Sequence, residues 1–265
     1  MKMKPIEELT FADSFMFAEV MKNPKICRKV LELLLDVKIK KIEYPKLEKH
    51  IDLFYSKKGI RLDVYTTDGN RCFDVEIQTY KEKSLGKRCR YYQSMMDSDL
   101  LSKGMKYSQL KESYVIFICT YDPFGLELPR YTFKRSCSEN PNAQLNDKST
   151  VLIYNASAFA KEEKPEVKAF LDYLTSKSAK STLTKEIDNM VESGKFEQSW
   201  INQYMAYQLH EWDVQDRAME EKAKTIAKKM LLANEPSEKI ITYTGLELSD
   251  VQEIQEELKQ AESTN

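Results

Sequence analysis

The stretch RLDVYTTDGNRCFDVEIQ, residues 61–78, constrains the fold of this 265-residue chain more than any other. Two strand-like runs flank an Asp-Gly pair, a strong short-range hairpin signal. Each run alternates apolar and polar residues, the two-residue period of a pleated strand. If Gly69 and Asn70 form the turn, Asp63 lies opposite Glu76; if Asp68 and Gly69 form it, Asp63 lies opposite Asp74. Either register puts Asp63, Asp74, Glu76 and Gln78 on one face and Leu62, Val64, Phe73, Val75 and Ile77 on the other. Strands are poor in acids, and like charges facing each other across strands repel. The pattern fits an acidic face turned to solvent. It fits equally a face that holds a divalent cation, since Mg2+ favours one or two carboxylates completed by water and phosphate oxygens.

Around this hairpin the chain changes character twice. Before it, LTFADSFMFAEVMKNPKICRKVLELLLDVKI has helical apolar spacing interrupted at Asn23-Pro24, which predicts two helices meeting there. KKIEYPKLE reads as a short edge strand or loop, because Pro45 removes a ladder donor. After the hairpin, Leu85, Cys89, Tyr92, Met96 and Leu100 recur at steps of three and four, predicting a helix with Ser84 as N-cap and Gly104 as stop. SYVIFICTYD follows, continuously apolar through Val115–Cys119, as a central strand buried on both faces should be. Strand, helix and strand in that order predict a crossover between parallel neighbours. Residues 134–150 read as a loop and VLIYNA, 151–156, as a further strand. From Pro165 onward only helix patterns remain. The sequence therefore divides into an α/β core over 1–160 and a helical region over 161–265, ending in a small helix-turn-helix-like tail.

Composition narrows the function classes. Lys plus Arg number 41 against 42 Asp plus Glu, so a polyanionic partner would have to be met by local patches. No run approaches the roughly 18 apolar residues of a membrane helix, and the N-terminus lacks a signal-peptide core. The expectation is a cytoplasmic protein with no membrane partner. The five cysteines are scattered and never spaced C-x-x-C, which argues for core residues rather than a zinc site. With only His50 and His210, histidine catalysis has little support.

Lys81, Lys83, Lys87, Arg88 and Arg90 crowd the start of the helix after the hairpin. A helix N-terminus already carries positive partial charge, so the cluster reads either as a solvated charge run, the reading favoured for it alone, or as a site for an anion such as phosphate.

Taken in order, LDV at 62–64, DVEIQ at 74–78 and RCRYYQSMMD in the next helix resemble the PD-(D/E)XK nuclease fold. More narrowly they resemble its Rpn group of recombination-promoting nucleases and transposase-like proteins. FADSFMFAEVMKNP is similar to that group's opening helix, and IAKKMLLANEPSEKIITYTGLELSDVQEIQ to its tail, so the resemblance covers most of the chain. It implies a restriction-endonuclease-like α/β (α+β) core, a mixed central sheet flanked by helices, with an all-helical C-terminal region. It also implies a Mg2+-dependent DNA endonuclease, with Mn2+ able to substitute, linked to recombination, mobile elements or defence. The alternative is an inactive nuclease-fold module that binds nucleic acid or protein.

Residue by residue, the resemblance makes Asp63 and Glu76 the metal-binding carboxylates, with the backbone carbonyl of Ile77 as a further ligand. Gln78 stands where the wider superfamily has Lys; its amide can orient a water but carries no charge. The phosphate-binding candidates are Lys81, Lys83, Lys87, Arg88 and Arg90, with Asp13, Glu19 and Asp74 as accessory acids. Met16 departs from the Lys that relatives often have there. The last helix is acidic through Asp250, Glu253, Glu256 and Glu257, so it suits packing better than reading a DNA groove. The helical C-terminal region is the expected route to a homo-oligomer.

Overall fold

The computed structural model describes residues 3–43, 45–51 and 60–263. It divides into two compact units, Met1–Ile201 and Asn202–Asn265.

The first unit opens with α1 (Ser14–Met21) and α2 (Pro24–Leu35), separated where the sequence predicts. Asn23 accepts the N–H groups of Lys25 and Ile26 at 3.0 and 3.3 Å. Pro24 takes the first helical turn, where its missing N–H costs nothing. Phe15 through Met21 are all buried, so α1 is a core helix rather than an amphipathic one.

A six-stranded sheet follows, formed by β1 (Lys46–Ile51), β2 (Ile60–Thr67), β3 (Arg71–Gln78), β4 (Glu112–Cys119), β5 (Arg130–Phe133) and β6 (Ser149–Asn155) in the order β1-β2-β3-β4-β6-β5. β1, β2 and β3 are antiparallel, β3, β4 and β6 are parallel, and β5 returns antiparallel on β6. Residue 44 and the side chain of His50 lie outside the described residues; of the edge strand or loop expected in that segment, β1 is the edge strand.

β4 sits between β3 and β6, with Val115–Cys119 completely buried, as its unbroken apolar run requires. The crossover helix α3 (Leu85–Leu100) joins the parallel neighbours β3 and β4. It ends before Gly104, which instead takes φ +90° in the turn that follows. β5 was not legible: it has four residues, of which only Tyr131 is buried. A strand that short has no alternation to read.

Helices cover both sheet faces, which is the expected mixed-sheet α/β core. On one face Cys89, Tyr92, Met95 and Met96 of α3 pack with Tyr65, Cys72, Val115, Phe117, Cys119 and Ile153. On the other, the Tyr154 hydroxyl donates to the Leu34 carbonyl of α2, and α1 packs against β2. Burial pushes the thiols of Cys27, Cys72, Cys89 and Cys119 up to about 12, which suits core residues and not nucleophiles.

α4 (Pro165–Ser176) and α5 (Thr182–Gly194) pack against α2, so the helices just beyond residue 160 belong to the first unit. The boundary between units falls within α6 (Gln198–Leu232), well beyond the change from mixed to helical sequence.

In the second unit, α7 (Ser237–Thr244) stops at Gly245, which adopts φ +73°, and α8 (Leu248–Ser263) follows. Ile240, Leu246, Val251 and Ile254 form a small core with Ala227. The acidic α8 is therefore held by its apolar stripe. α6 exposes Met205, Leu209, Trp212 and Met219. Among the described residues no helix is long and apolar enough to cross a membrane.

Candidate functional site

The hairpin register decides which acids meet. Asp68 N–H donates to the Arg71 carbonyl at 3.1 Å, and Thr67 pairs with Cys72, leaving Gly69 and Asn70 as the two turn residues. Gly69 has φ +93°, the left-handed value that a two-residue hairpin turn takes at its first central position. The regular pairing runs from the turn to Val64 opposite Val75. The next position brings Asp63 opposite Glu76, and there carboxylates take over from the ladder. Asp63 N–H donates to Glu76 Oε1 at 2.8 Å, and Ile77 N–H donates to Asp63 Oδ2 at 3.3 Å. Each acid is thus fixed against the opposite strand's backbone.

The acidic face does not meet solvent. Asp74 and Glu76 are fully buried and Gln78 is 2% exposed, because α3 lies over them. Alternation correctly groups the acids on one side of the hairpin, but it carries no information about what covers that side.

The cover includes a cation. Arg88 donates from Nη2 to Glu76 Oε2 at 2.7 Å, from Nη1 to Gln78 Oε1 at 2.8 Å and from Nε to the Tyr92 hydroxyl at 2.8 Å. Its guanidinium lies 5.0 Å from the ring centres of both Tyr92 and Phe117, within cation–π range. The far end of Gln78 is also engaged, Nε2 donating to the Tyr80 carbonyl at 2.9 Å.

Asp74 is the opposite case: both carboxyl oxygens are buried without a hydrogen-bond donor. Burial raises its pKa well above the carboxylate range and the Asp63 charge raises it further, while the adjoining Glu76 carboxyl and the charge of Arg88 only partly offset this. Burial likewise raises Glu76, reinforced by Asp63 and Asp74 and opposed by Arg88 and the Asp63 N–H. The two carboxyls are coupled, so the raised values belong to the pair rather than to either acid alone. Burial works against the Arg88 charge, but Glu76, Tyr92 and Asp63 outweigh it and raise its pKa.

A cleft of about 690 Å3 opens over this cluster, lined by Asp63, Arg61, Lys87, Arg88, Tyr91 and Tyr92 among others. Of the five basic residues named from sequence, Lys87 and Arg88 line it; Lys81, Lys83 and Arg90 are exposed and do not. The two acids of the opening segment are engaged locally. Asp13 accepts from Thr10 and Lys4, and Glu19, 6% exposed, pairs with Lys22 at 2.5 Å.

Among the described residues no cluster of three or more His, Cys, Asp or Glu is arranged to hold a metal. The donor set nevertheless suits a hard cation bound in the Mg2+ manner, by one or two carboxylates with the remaining positions left to water and phosphate. Asp63 and Glu76 supply the carboxylates, both Glu76 oxygens already accepting hydrogen bonds, and the buried oxygens of Asp74 have no donor.

Sequence reading overlooked Tyr92, Tyr80 and Phe117, which hold Arg88 and Gln78 in place. A signal for the first existed: Arg88 and Tyr92 are four apart on one helix and share a stripe with Leu85 and Met95.

A family model described as PD-(D/E)XK nuclease family transposase matches residues 10–232. No curated protein and no solved structure matches the chain.

Proposed function

The chain belongs to the PD-(D/E)XK nuclease family transposases, and we propose that it is a divalent-metal-dependent endonuclease that hydrolyses DNA phosphodiesters at the cleft lined by Asp63 and Arg88. One observation carries the reading: two acids from adjacent strands, each locked to the other strand's backbone, stand beside a cleft whose walls include cations.

In this reading Asp63 and Glu76, with the Ile77 carbonyl, hold Mg2+ or Mn2+. When bound, such an ion polarises the scissile phosphate and lowers the pKa of the attacking water. The chain's own groups set the geometry for that chemistry. The Asp63 N–H and Arg88 fix both oxygens of Glu76, and the Ile77 N–H fixes Asp63. A proton held by the Asp74–Glu76 pair keeps three neighbouring acids from being charged together. Lys87 and Arg88 meet the DNA backbone inside the cleft, while Lys81, Lys83 and Arg90 favour its approach from outside.

The test is cleavage of supercoiled and linear DNA with Mg2+ or Mn2+. Asp63→Ala and Glu76→Ala should each lower the rate by more than the roughly 100-fold that follows loss of a metal site's outer partners, and EDTA should abolish it. Cleavage that survives EDTA or Asp63→Ala sinks the mechanism.

A second reading, a nuclease-fold module that binds without cutting, is favoured by Arg88 already occupying Glu76 Oε2 and Gln78 Oε1. Mn2+ titration separates the two, since the binding module takes up no metal.

A further inference from the structure

Five basic side chains gather near the start of α3, yet they differ in what they face. Lys81, Lys83, Lys87 and Arg90 are exposed. Arg88 falls three residues after Leu85 and four before Tyr92, on the stripe that α3 buries. Its guanidinium is held by three hydrogen bonds to three residues on two elements, Glu76 and Gln78 of β3 and Tyr92 of α3. Among the described residues those bonds use three of its five N–H donors, one on each nitrogen. One N–H on each terminal nitrogen is left, and the side chain, 26% exposed, lines the cleft with Asp63. A planar fork with a donor left on each terminal nitrogen suits two oxygens of a phosphate.

Gln78 presents the complementary case. It is 2% exposed, its Oε1 accepts from Arg88, and its Nε2 is anchored on the Tyr80 carbonyl. A neutral amide committed at both ends influences the cleft through the group it holds. A lysine at that position would offer donors only and would set a second positive charge against Arg88; glutamine supplies the acceptor oxygen that Arg88 needs.

We propose that Arg88 is the catalytic cation of this site, contacting the scissile phosphate and taking up its developing negative charge, and that Gln78 is the positioning residue that aims it. The proposal rests on the phosphodiester-cutting reading above. It narrows five basic candidates to one and explains why the site works with glutamine at position 78.

The experiment uses the full chain, supercoiled plasmid and Mn2+. Arg88→Lys keeps a cation beside Glu76 but removes the fork. It should lower kcat about 100-fold, the scale of losing one preorganised donor to a transition-state charge, with KM and Mn2+ affinity little changed. Gln78→Ala should lower kcat about tenfold, and the double variant should be no worse than Arg88→Lys alone, because residues acting as one unit are not additive.

A readout independent of turnover comes from NMR in EDTA. The Arg88 Nε–H resonance, identified by its loss in Arg88→Lys, should shift when a short non-cleavable duplex is added, and Gln78→Ala should weaken that shift. This measurement decides the matter even where a variant proves too unstable for kinetics. Wild-type cleavage rates in Arg88→Lys, strictly additive losses in the double variant, or a resonance indifferent to DNA overturns the proposal and leaves the metal-dependent reading standing. A wild-type chain that binds no Mn2+ and cuts no DNA overturns that reading, and the proposal with it.

Discussion

The β2–β3 hairpin has an arginine–carboxylate pair at each end, and the two pairs are built differently. At the turn, Asp68 accepts from Arg71 N–H at 3.0 Å and from Arg71 Nε at 2.7 Å, partners three residues away. At the open end, Glu76 accepts from Arg88, twelve residues on in another element, and from Asp63 across the strands. The first pair is complete as soon as the turn closes. The second is complete only after α3 docks, and beside it Asp74 stays without a donor. A hairpin selected only for stability would carry apolar residues at these covered positions, because an unpaired buried acid costs free energy. The contrast separates an acid paired within the turn from acids whose retention the proposed function accounts for.

That contrast can be broken most severely at Arg88. Arg88→Ala leaves Glu76 buried and uncompensated, a loss of about 3 kcal/mol or more. Arg71→Ala removes the charged hydrogen bonds made within the turn and one to the Lys38 carbonyl, and should cost about 1–2 kcal/mol. Urea unfolding of the two variants measures the difference, and equal losses would erase the distinction drawn between the two ends.

A pH series on the metal-free protein sharpens it further. Asp74 and Glu76 have folded-state pKa values raised above the ordinary range, first by burial. Between the unfolded and folded values the folded state holds protons that the unfolded chain has released. Stability therefore falls as pH rises through that window and recovers as pH is lowered. Asp74→Asn removes the acid that lacks a donor, so it should flatten this fall and raise Tm at pH 8 by about 3 °C, the shift that ~1 kcal/mol gives in a chain of this size. A steeper fall in the variant would refute a contribution of Asp74 to that window.

The smallest effect belongs to the turn itself. A Cβ on Gly69 would meet open space, so Gly69→Ala carries only the strain of φ +93°, about 1 kcal/mol. Thermal melting should register it while DNA cleavage stays at the wild-type rate.

Much of this arrangement was legible before any coordinates. The Asn23-Pro24 break, the α3 crossover and the burial of β4 follow from local spacing, as does the grouping of Asp63, Asp74, Glu76 and Gln78 on one face. β5 escaped because four mostly exposed residues make no pattern, and the end of α3 was misplaced because Gly104 serves the next turn. The unit boundary inside α6 has no marker at all, since a helix continues through it.

What the sequence by itself determined is parity: which side chains share a face, because the two-residue period is a property of the extended backbone. Two matters stayed open, whether Asp63 faces Glu76 or Asp74, and whether the acidic face is turned to solvent. Only the tertiary structure decided them, through the Gly69–Asn70 turn and the docking of α3. That Arg88, rather than a neighbouring cation, is bonded to Glu76 and Gln78 has the same origin. It depends on the rotation of one helix about its axis against the sheet, a quantity fixed by the packing of Leu85, Cys89, Tyr92 and Met96 together rather than by any one segment alone.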